Sequence, residues 1–389
     1  MLTRTGSADE RQAHTRRWLV LGVMCLSLLL IVMDNTIVNV ALPTLQRELD
    51  ASTSQLQWVV DAYILVFAGL LLTMGSLSDR FGRRGALAVG LVIMGLGSVL
   101  SSFATSAHQL IGTRAIMGIG AAMIMPATLS IITNVFTVPR ERARAIAIWA
   151  ATAGAAVAIG PVTGGWLLEH FWWGSVFLVN VPVVVVALVL GRLFVPTSRD
   201  PSAPPVDVPG LLLSIAGLVS LVWAIIEGPK GWTDPEILGA FALAAVLLGS
   251  FVAWERRTRF PMLDVNFFHN PRFSAASAAI MLTFFAMFGW LFLLTQFLQS
   301  VLGYTAFEAG VRLLPTAVVM MVVAPLSARA VERIGTKVVV ATGMTVAAVG
   351  LVMASRLTAG ASYPEVLVSL VVISAGLALV MAPATESIM

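Results

Sequence analysis

The stretch Gly75-Ser76-Leu77-Ser78-Asp79-Arg80-Phe81-Gly82-Arg83-Arg84 joins two long apolar segments and carries dense charge between them. Glycine has no side chain to hold backbones apart, so Gly75 and Gly82 allow helix and loop to approach closely. Asp79 among three arginines supplies both halves of an ion pair. We therefore predict a conformational latch made of Gly75, Asp79, Arg80, Gly82, Arg83 and Arg84. The alternative is an ordinary short cytoplasmic loop, because such loops are rich in arginine in any membrane protein.

The composition indicates a polytopic membrane protein. Of the 389 residues, 58% are hydrophobic and 11% are charged, and the mean hydropathy is +0.92. A soluble globular chain carries about a quarter charged residues. The pI of 9.8 comes from basic residues in short loops, so the expected partner is the lipid bilayer and not nucleic acid. A single cysteine, Cys25, leaves no disulfide framework and no cysteine-based metal site, and we expect no metal or cofactor.

Twelve apolar segments are long enough to cross about 30 Å of hydrocarbon, which takes roughly 20 residues. The first follows Arg16 and Arg17 as in a secretion signal, but it continues to Leu42 without a small-residue cleavage site, so it is expected to be retained. The predicted segments are 18–42, 57–77, 86–106, 108–136, 143–167, 172–195, 208–227, 235–254, 273–300, 309–328, 337–356 and 364–386.

The basic residues predict the orientation. Of the 24 lysines and arginines, Arg114 lies inside a segment and four lie in the loops opposite the N-terminus, which leaves nineteen on the side of the N-terminus. The four are Arg47, Lys230, Arg312 and Arg356. Cytoplasmic loops carry the excess of basic residues. The chain is thus expected to be a multi-pass protein of the cytoplasmic (inner) membrane with a cytoplasmic N-terminus.

Two motifs recur along the chain. Asp79-Arg80-Phe81-Gly82-Arg83-Arg84 has an echo at 332–337, 253 residues later, and Pro126-Ala127-Thr128-Leu129-Ser130-Ile131-Ile132 recurs at 383–389, 257 residues later. Such spacing predicts two parallel halves related by an axis along the membrane normal. The second half would then hold only four of six helices. We expect a truncated fourteen-helix protein, which could fold poorly and transport nothing; the alternative is a twelve-helix protein with another layout.

The predicted fold is all-α, with two six-helix bundles, two inserted helices and an incomplete second bundle. The predicted parts are a cytoplasmic tail (1–17), an N-terminal bundle (18–195), a cytoplasmic linker (196–207), two inserted helices (208–254) and a partial C-terminal bundle (255–389).

Three ionisable residues lie within the first apolar segments, where a charge costs several kcal/mol and usually marks a function. Counted from the outer helix ends, Asp34 lies about 13 Å deep, Arg114 about 9 Å and Asp61 about 6 Å. The arginine can pair with either carboxylate and leave it able to exchange a proton. The competing interpretation is a static structural pair, and Asp61 can also be wetted near the surface.

The stretch from Gly75 to Arg84 resembles the loop between helices 2 and 3 of the major facilitator superfamily. The segment Met33-Asp34-Asn35-Thr36-Ile37-Val38-Asn39-Val40-Ala41-Leu42-Pro43 resembles the helix 1 signature of its fourteen-helix drug/proton antiporter branch, the QacA and EmrB type. The segment from Leu110 to Gly120 is similar to the family's R-x-x-Q-G segment, in which the arginine is implicated in proton coupling. Met117 replaces the usual glutamine, which leaves the detailed hydrogen-bond network open.

The segment Ala156-Val157-Ala158-Ile159-Gly160-Pro161-Val162-Thr163-Gly164-Gly165 resembles the antiporter motif G-x-x-x-G-P-x-x-G-G, with alanine at its first position. Pro161 removes a backbone hydrogen bond, and Gly160, Gly164 and Gly165 allow close helix contact. The motif favours export over uptake, since the family's antiporters carry it. A kinked packing helix without a functional role is the alternative.

The resemblance implies a proton-coupled antiporter that exports hydrophobic drugs or antibiotics, cationic ones among them, by alternating access. Asp34 is the first candidate for the proton-carrying residue, and the implied partners are a small hydrophobic substrate and protons. Glu227 and Glu386, near helix ends, could attract a cation, although such residues are more often interfacial. No P-loop or H-E-x-x-H motif is present, so no enzyme is expected. The alternatives are a proton-coupled importer and a non-transporting sensor or scaffold.

Overall fold

The computed structural model describes residues 6–199 and 206–388, and throughout these residues the regular structure is helical, without strands. Twelve helices are long and apolar enough to cross a membrane, which confirms the all-α polytopic fold. Labelled α1 to α12, they are Arg16–Glu48, Thr53–Phe81, Arg83–Ser102, Ala107–Val135, Pro139–His170, Ser175–Phe194, Val208–Lys230, Pro235–Glu255, Pro271–Val301, Ala306–Ile334, Thr336–Ala354 and Tyr363–Thr385.

Helix ends differ from the ends of the predicted apolar segments: α2 starts before its segment, whereas α3 ends at Ser102, before the predicted residue 106. α2 begins four residues earlier than predicted, where the Ser52 hydroxyl accepts a hydrogen bond from Gln55 N at 3.2 Å and Ser52 N donates to Gln55 Oε1 at 2.9 Å. The helix that contains α1 runs from Gly6 to Glu48, so it begins before the apolar span and inside the predicted tail of residues 1–17. The predicted linker, 196–207, lies partly outside the described residues.

Two compact units divide the backbone. The first comprises the described parts of Met1–Asn35, Thr44–Ala156 and Trp173–Leu263. The second comprises Thr36–Pro43, Val157–Trp172 and the described part of Asp264–Met389. In the second unit an apolar cluster is formed by Val40, Leu294, Leu298, Ala309, Leu313, Val366 and Leu370. The predicted domain boundaries at 195, 207 and 254 stay a prediction.

Glycines bring neighbouring helices to backbone contact in each unit. In the first unit a methyl group placed on Gly120 of α4 would lie 2.7 Å from the carbonyl oxygen of Gly90 in α3. In the second unit a methyl group on Gly343 of α11 would lie 2.8 Å from the carbonyl oxygen of Gly376 in α12. Gly343 lies 253 residues after Gly90 and Gly376 lies 256 after Gly120, so the helix contacts follow the repeat found in the motifs.

The turn between α2 and α3 and the turn between α10 and α11 also share a backbone geometry. Gly82 has a φ of 123° and Gly335 a φ of 81°. Side chains other than glycine rarely adopt such angles. The echo of the charged motif is therefore also a repeat of backbone geometry, and each turn depends on its glycine.

Replacing Gly82 by alanine is expected to destabilise the protein by about 1–3 kcal/mol, because the turn keeps its positive φ and the new side chain is strained there. Thermal unfolding in detergent measures the loss. Gly85→Ala is the matched control: it lies three residues later inside α3, where nothing lies within 4 Å of the added methyl group. Equal melting temperatures for Gly82→Ala and the wild type would contradict the role of the turn.

Candidate functional site

A fully buried ion pair joins Asp34 of α1 to Arg114 of α4. Both residues are 0% exposed, and Arg114 Nη1 donates to Asp34 Oδ2. Arg114 Nε donates to Val59 O at 3.1 Å. Asn180 Nδ2 donates to Asp34 Oδ1 at 2.7 Å and lies 3.2 Å from Ser98 Oγ. The carboxylate is therefore held by one charged and one neutral donor, from two different helices.

An aromatic ring covers the guanidinium. Arg114 Cζ lies 4.3 Å from the ring centroid of Tyr63, which is 1% exposed. The Tyr63 hydroxyl donates to Ile31 O at 3.4 Å. A cation over an aromatic face is stabilised when both are removed from water. The ring thus reduces the cost of burying the arginine and ties α2 to α1 beside Asp34.

Local sequence explains how the arginine reaches this position. α4 starts after Ser106, whose hydroxyl accepts from Gln109 N at 3.3 Å. One turn after Arg114, a methyl group on Gly118 would lie 2.6 Å from Tyr63 O and 3.3 Å from Phe67 N. Glycine at position 118 therefore lets α4 lie against the backbone of α2, which brings the guanidinium to Val59 O.

Asn180 is the site residue to which sequence reasoning assigned no role. α6 consists of two helical pieces, Ser175–Leu178 and Asn180–Phe194, and Asn180 is the first residue of the second piece. It is 0% exposed. The available signal was an amide within an apolar segment, two residues before Pro182. A buried amide needs partners, but the sequence does not show that Asp34 is one of them.

Two polar atoms of the site remain without a hydrogen-bond partner. They are Arg114 Nη2 and Asn180 Oδ1, both buried. Burying a polar atom without a partner is costly. The site can therefore still donate and accept hydrogen bonds next to Asp34.

Met117, which stands where the family usually has glutamine, faces α3. It is 0% exposed, the Ser101 hydroxyl lies 3.4 Å from its sulfur, and a methyl group on Gly97 would lie 3.4 Å from Met117 N. The neutral hydrogen-bond donor to the Asp34 carboxylate is Asn180. The substitution thus fills the α3–α4 contact with an apolar side chain.

The structure decides between the two candidate carboxylates for Arg114. Asp61, in α2, is half-buried, and in the described part of the chain no hydrogen bond or ion pair reaches its side chain. Arg114 pairs with Asp34. A role for Asp61 in proton handling stays a prediction.

The predicted latch forms an ion pair within its own turn. Arg83 Nε lies 2.6 Å from Asp79 Oδ1, and Arg83 N donates to Ser198 O at 3.0 Å. Arg84 Nη1 donates to Val195 O at 3.3 Å, just after α6. The Arg80 guanidinium lies 5.9 Å from the Phe81 ring. A methyl group on Gly75 would meet Pro126 of α4 at 3.5 Å, an ordinary contact.

The glycines of α5 make close backbone contacts inside the second unit. A methyl group on Gly164 would lie 3.3 Å from Ile37 O, and one on Gly165 would lie 2.7 Å from the carbonyl carbon of Ala306. In return, a methyl group on Gly310 of α10 would lie 2.7 Å from the carbonyl carbon of Pro161. Gly160 and Pro161 are buried. The motif predicted from sequence therefore packs α5 directly on α1 and α10.

The two residues predicted to attract a cation are Glu227 and Glu386. Glu227 accepts a hydrogen bond from Ser54 Oγ at 2.7 Å and pairs with Lys230. It borders a cavity of about 410 Å³ that is also lined by Trp223, Lys230, Asp234, Pro235, Glu236 and Ile237. The side chain of Glu386 lies outside the described residues. Attraction of a cation by either residue stays a prediction.

Twelve helices of the described residues are apolar and long enough to span a membrane, and a buried ion pair lies among them, which indicates a polytopic membrane protein. The sequence profile of the Major Facilitator Superfamily matches residues 24–389. The chain belongs to this superfamily, and it is therefore a transporter and not an enzyme.

Several relatives carry names from drug resistance. The chain is 39% identical over 371 residues to the multidrug efflux pump LfrA of Mycolicibacterium smegmatis, covering 95% of this chain and 74% of the pump. It is 35% identical over 385 residues to the puromycin resistance protein pur8 of Streptomyces alboniger, covering 98% and 76%. It is 36% identical over 334 residues to the methyl viologen resistance protein SmvA of Salmonella typhimurium, covering 86% and 68%.

Solved structures show the same fold at low identity. A bacterial homologue of the human lysosomal transporter Spinster, inward-facing and unoccupied, has a TM-score of 0.65 at 20% identity, over 96% of this chain and 75% of the other. The xylose transporter XylE of E. coli, inward open, has a TM-score of 0.62 at 16% identity, over 94% and 81%. These likenesses support the fold alone.

Proposed function

We propose that this chain is a proton-coupled antiporter that exports hydrophobic drugs or antibiotics, cationic ones among them, across the cytoplasmic membrane by alternating access. The observation that carries the proposal is the buried pair of Asp34 and Arg114, held by Asn180. The names of the relatives, which refer to multidrug efflux and to resistance against puromycin and methyl viologen, support drug export.

The coupling step follows from the cost of buried charge. In the observed pair the two charges compensate each other, whereas a lone charge in this position costs several kcal/mol. A proton that binds Asp34 removes the partner of Arg114, so the guanidinium must find another acceptor. Proton and arginine thus compete for one carboxylate, and the loss of the pair favours a rearrangement of α1 against α4.

The rearrangement can begin at the two atoms of the site that have no hydrogen-bond partner. Arg114 Nη2 and Asn180 Oδ1 have no partner, and both belong to residues that already bind Asp34. A polar group of a substrate that bonds to either atom changes the donors left for Asp34. Binding of substrate and binding of a proton are then coupled through Asp34, Arg114 and Asn180, although substrate and proton do not contact each other.

We assign the chain to the fourteen-helix branch of the superfamily. The helix 1 signature around Asp34 supports this, as do the two extra helices α7 and α8 between the repeated motifs. In this layout 18–195 is the first bundle, 208–254 the inserted pair and 255–389 part of the second bundle. The N-terminus and the turn with Asp79 are cytoplasmic, in accord with the excess of basic residues on that side.

In the proposed transport cycle, the motif on α5 and the latch are the parts of the protein that change conformation. Pro161 interrupts the backbone hydrogen bonds of α5, and the adjacent glycines allow the helix to slide on its neighbours with small steric cost. The ion pair of Asp79 with Arg83 and the bond of Arg84 to Val195 O fix one arrangement of the turn. Their loss permits another arrangement.

Proton movement in inverted membrane vesicles tests the proposal. Vesicles that contain the protein are acidified inside and then challenged with a panel of lipophilic cations and antibiotics. Substrate-induced proton efflux is expected in the wild type and is expected to vanish in Asp34→Asn, because the amide cannot release a proton. Asp61→Asn is the comparison variant, since Asp61 forms no ion pair with Arg114: loss of efflux in Asp34→Asn alone assigns the coupling proton to Asp34, and loss in both variants gives Asp61 a role as well.

Other outcomes distinguish the competing functions. Efflux that is unchanged in Asp34→Asn would remove Asp34 from the coupling step while keeping antiport. If no compound of the panel induces proton efflux although the protein is shown to be folded, the result would instead favour a narrow-substrate transporter or a membrane sensor.

A further inference from the structure

Two carboxyl groups meet at one end of the inserted pair of helices, away from the site of Asp34. Asp207 directly precedes α7, and Glu255 is the last residue of α8. They are 8% and 3% exposed, respectively. Carboxylates are rarely buried to this degree unless a charge or several donors compensate them.

Asp207 has the donors that an ionised carboxylate needs. Gly210 N donates to Asp207 Oδ1 at 3.0 Å and thereby caps α7. Trp254 Nε1 donates to Oδ1 at 2.9 Å and lies 3.0 Å from Oδ2. Two N–H groups therefore donate to the carboxyl group of Asp207.

Glu255 is bonded on one oxygen only. Leu263 N donates to Glu255 Oε2 at 3.0 Å, whereas Oε1 is buried without a donor. A methyl group on Gly210 would lie 2.6 Å from Asp207 Oδ2 and 2.7 Å from Glu255 Oε1. The two oxygens thus converge over Gly210.

No basic group in the described residues forms an ion pair with either carboxylate. The other charged residues of α7 and α8, Glu227, Lys230 and Glu236, lie at the opposite helix ends. The segment after α8 carries Arg256, Arg257 and Arg259, all of them exposed. α2, which packs on α7, carries Asp61, Asp79 and Arg80. The pair is thus left with an uncompensated repulsion if both groups are ionised.

We propose that Asp207 and Glu255 share one proton, carried on Glu255 Oε1 and donated to Asp207 Oδ2. The proton turns a repulsion between two carboxylates into a charge-assisted hydrogen bond. It also assigns the roles: Asp207, which has two N–H donors, is ionised, and Glu255, which has a free oxygen, is protonated.

The shared proton joins three parts of the chain into what we call the carboxyl clasp, made of Asp207, Glu255 and their partners Gly210, Trp254 and Leu263. Leu263 is the last residue of the first unit. Release of the proton leaves two buried negative charges in contact, which loosens the start of α7, the end of α8 and the segment that leads to Leu263. The clasp is thus a proton site separate from Asp34, and it does not depend on the proposed transport function.

The stability of the purified protein in detergent as a function of pH tests the clasp. A folded state that binds one proton more than the unfolded chain loses stability as the pH rises, by up to about tenfold in the unfolding equilibrium for each pH unit. Glu255→Gln mimics the protonated residue: its amide can donate to Asp207 Oδ2 while its oxygen accepts from Leu263 N. We expect this variant to be as stable as the wild type at low pH and to lose the wild type's decline at high pH.

Infrared spectroscopy observes the proton directly. The C=O stretching band of a protonated carboxyl group is expected in the wild type and lost in Glu255→Gln, and it is expected to shift in Asp207→Asn, which changes the acceptor. Glu236→Gln, an exposed residue at the other end of α8, is the matched control and should leave the band unchanged. Superimposable carboxyl bands of wild type and Glu255→Gln, or an equal decline of stability with pH in both, would overturn the proposal.

Discussion

Replacing Arg114 by leucine is expected to lower the free energy of unfolding by about 3–5 kcal/mol and to abolish transport. Such losses are typical when one partner of a buried ion pair is removed, because the other charge remains buried and uncompensated. Asp34 is 0% exposed, and Asn180 alone would then donate to it. Thermal unfolding in detergent and substrate efflux from vesicles measure the two effects.

A double variant separates stability from function. Arg114→Leu combined with Asp34→Leu removes both charges, and apolar residues of similar volume often replace a buried pair without loss of stability. We therefore expect the double variant to recover most of the stability and none of the proton coupling. If Arg114→Leu alone unfolds at the wild-type temperature, the carboxylate is compensated in some other way and the pair is not the centre of the site.

Replacing Gly165 by alanine is expected to destabilise the second unit by about 1–3 kcal/mol or more and to reduce transport strongly. The added methyl group would lie 2.7 Å from the carbonyl carbon of Ala306, and backbone atoms cannot move aside as a flexible side chain can. The contact of α5 with α10 must therefore open. Thermal unfolding and efflux of the same preparation measure both consequences.

Gly154→Ala is the matched control, since it makes the same change on the same helix where nothing lies within 4 Å of the added methyl group. Alanine is the better helix former, so this variant is expected to be as stable as the wild type or slightly more stable. Equal behaviour of Gly165→Ala and Gly154→Ala would contradict a packing role for the motif on α5.

Much of the fold was predictable because the bilayer imposes simple requirements on a sequence. A helix that crosses hydrocarbon must be long and apolar, and each of the twelve predicted segments corresponds to a helix of the described residues that is long and apolar enough to span a membrane. The helix ends were less predictable. α2 begins at the cap formed by Ser52 and Gln55, and such caps are polar and carry no hydropathy signal.

The repeat was recognisable from two short motifs, and the structure extends it to positions that resemble each other little in sequence. Gly82 and Gly335 share a positive φ, and the contact of Gly90 with Gly120 matches that of Gly343 with Gly376. Glycines are common in membrane helices, so their number alone does not show which of them face another backbone.

The charged residues of the site were also read from the sequence, but their connections and the role of Asn180 were not. Asp34, Asp61 and Arg114 stood out because charge is costly in a bilayer. The depths counted from the outer helix ends placed Asp34 and Asp61 within reach of Arg114. Only the packing of α4 on α2, with Gly118 against the backbone at Tyr63, decides that Arg114 pairs with Asp34.

The sequence by itself determined that this protein crosses the membrane many times, that it repeats, and which charges lie in the apolar segments. Each of these depends on local composition and spacing. Burying polar groups in a membrane is costly, so the composition of a segment decides whether it can form a spanning helix. The tertiary structure alone decided the partners: Asn180 for Asp34, Ala306 for Gly165, and Trp254 for Asp207. Partners lie far apart in the chain, and only the packing of whole helices brings them together.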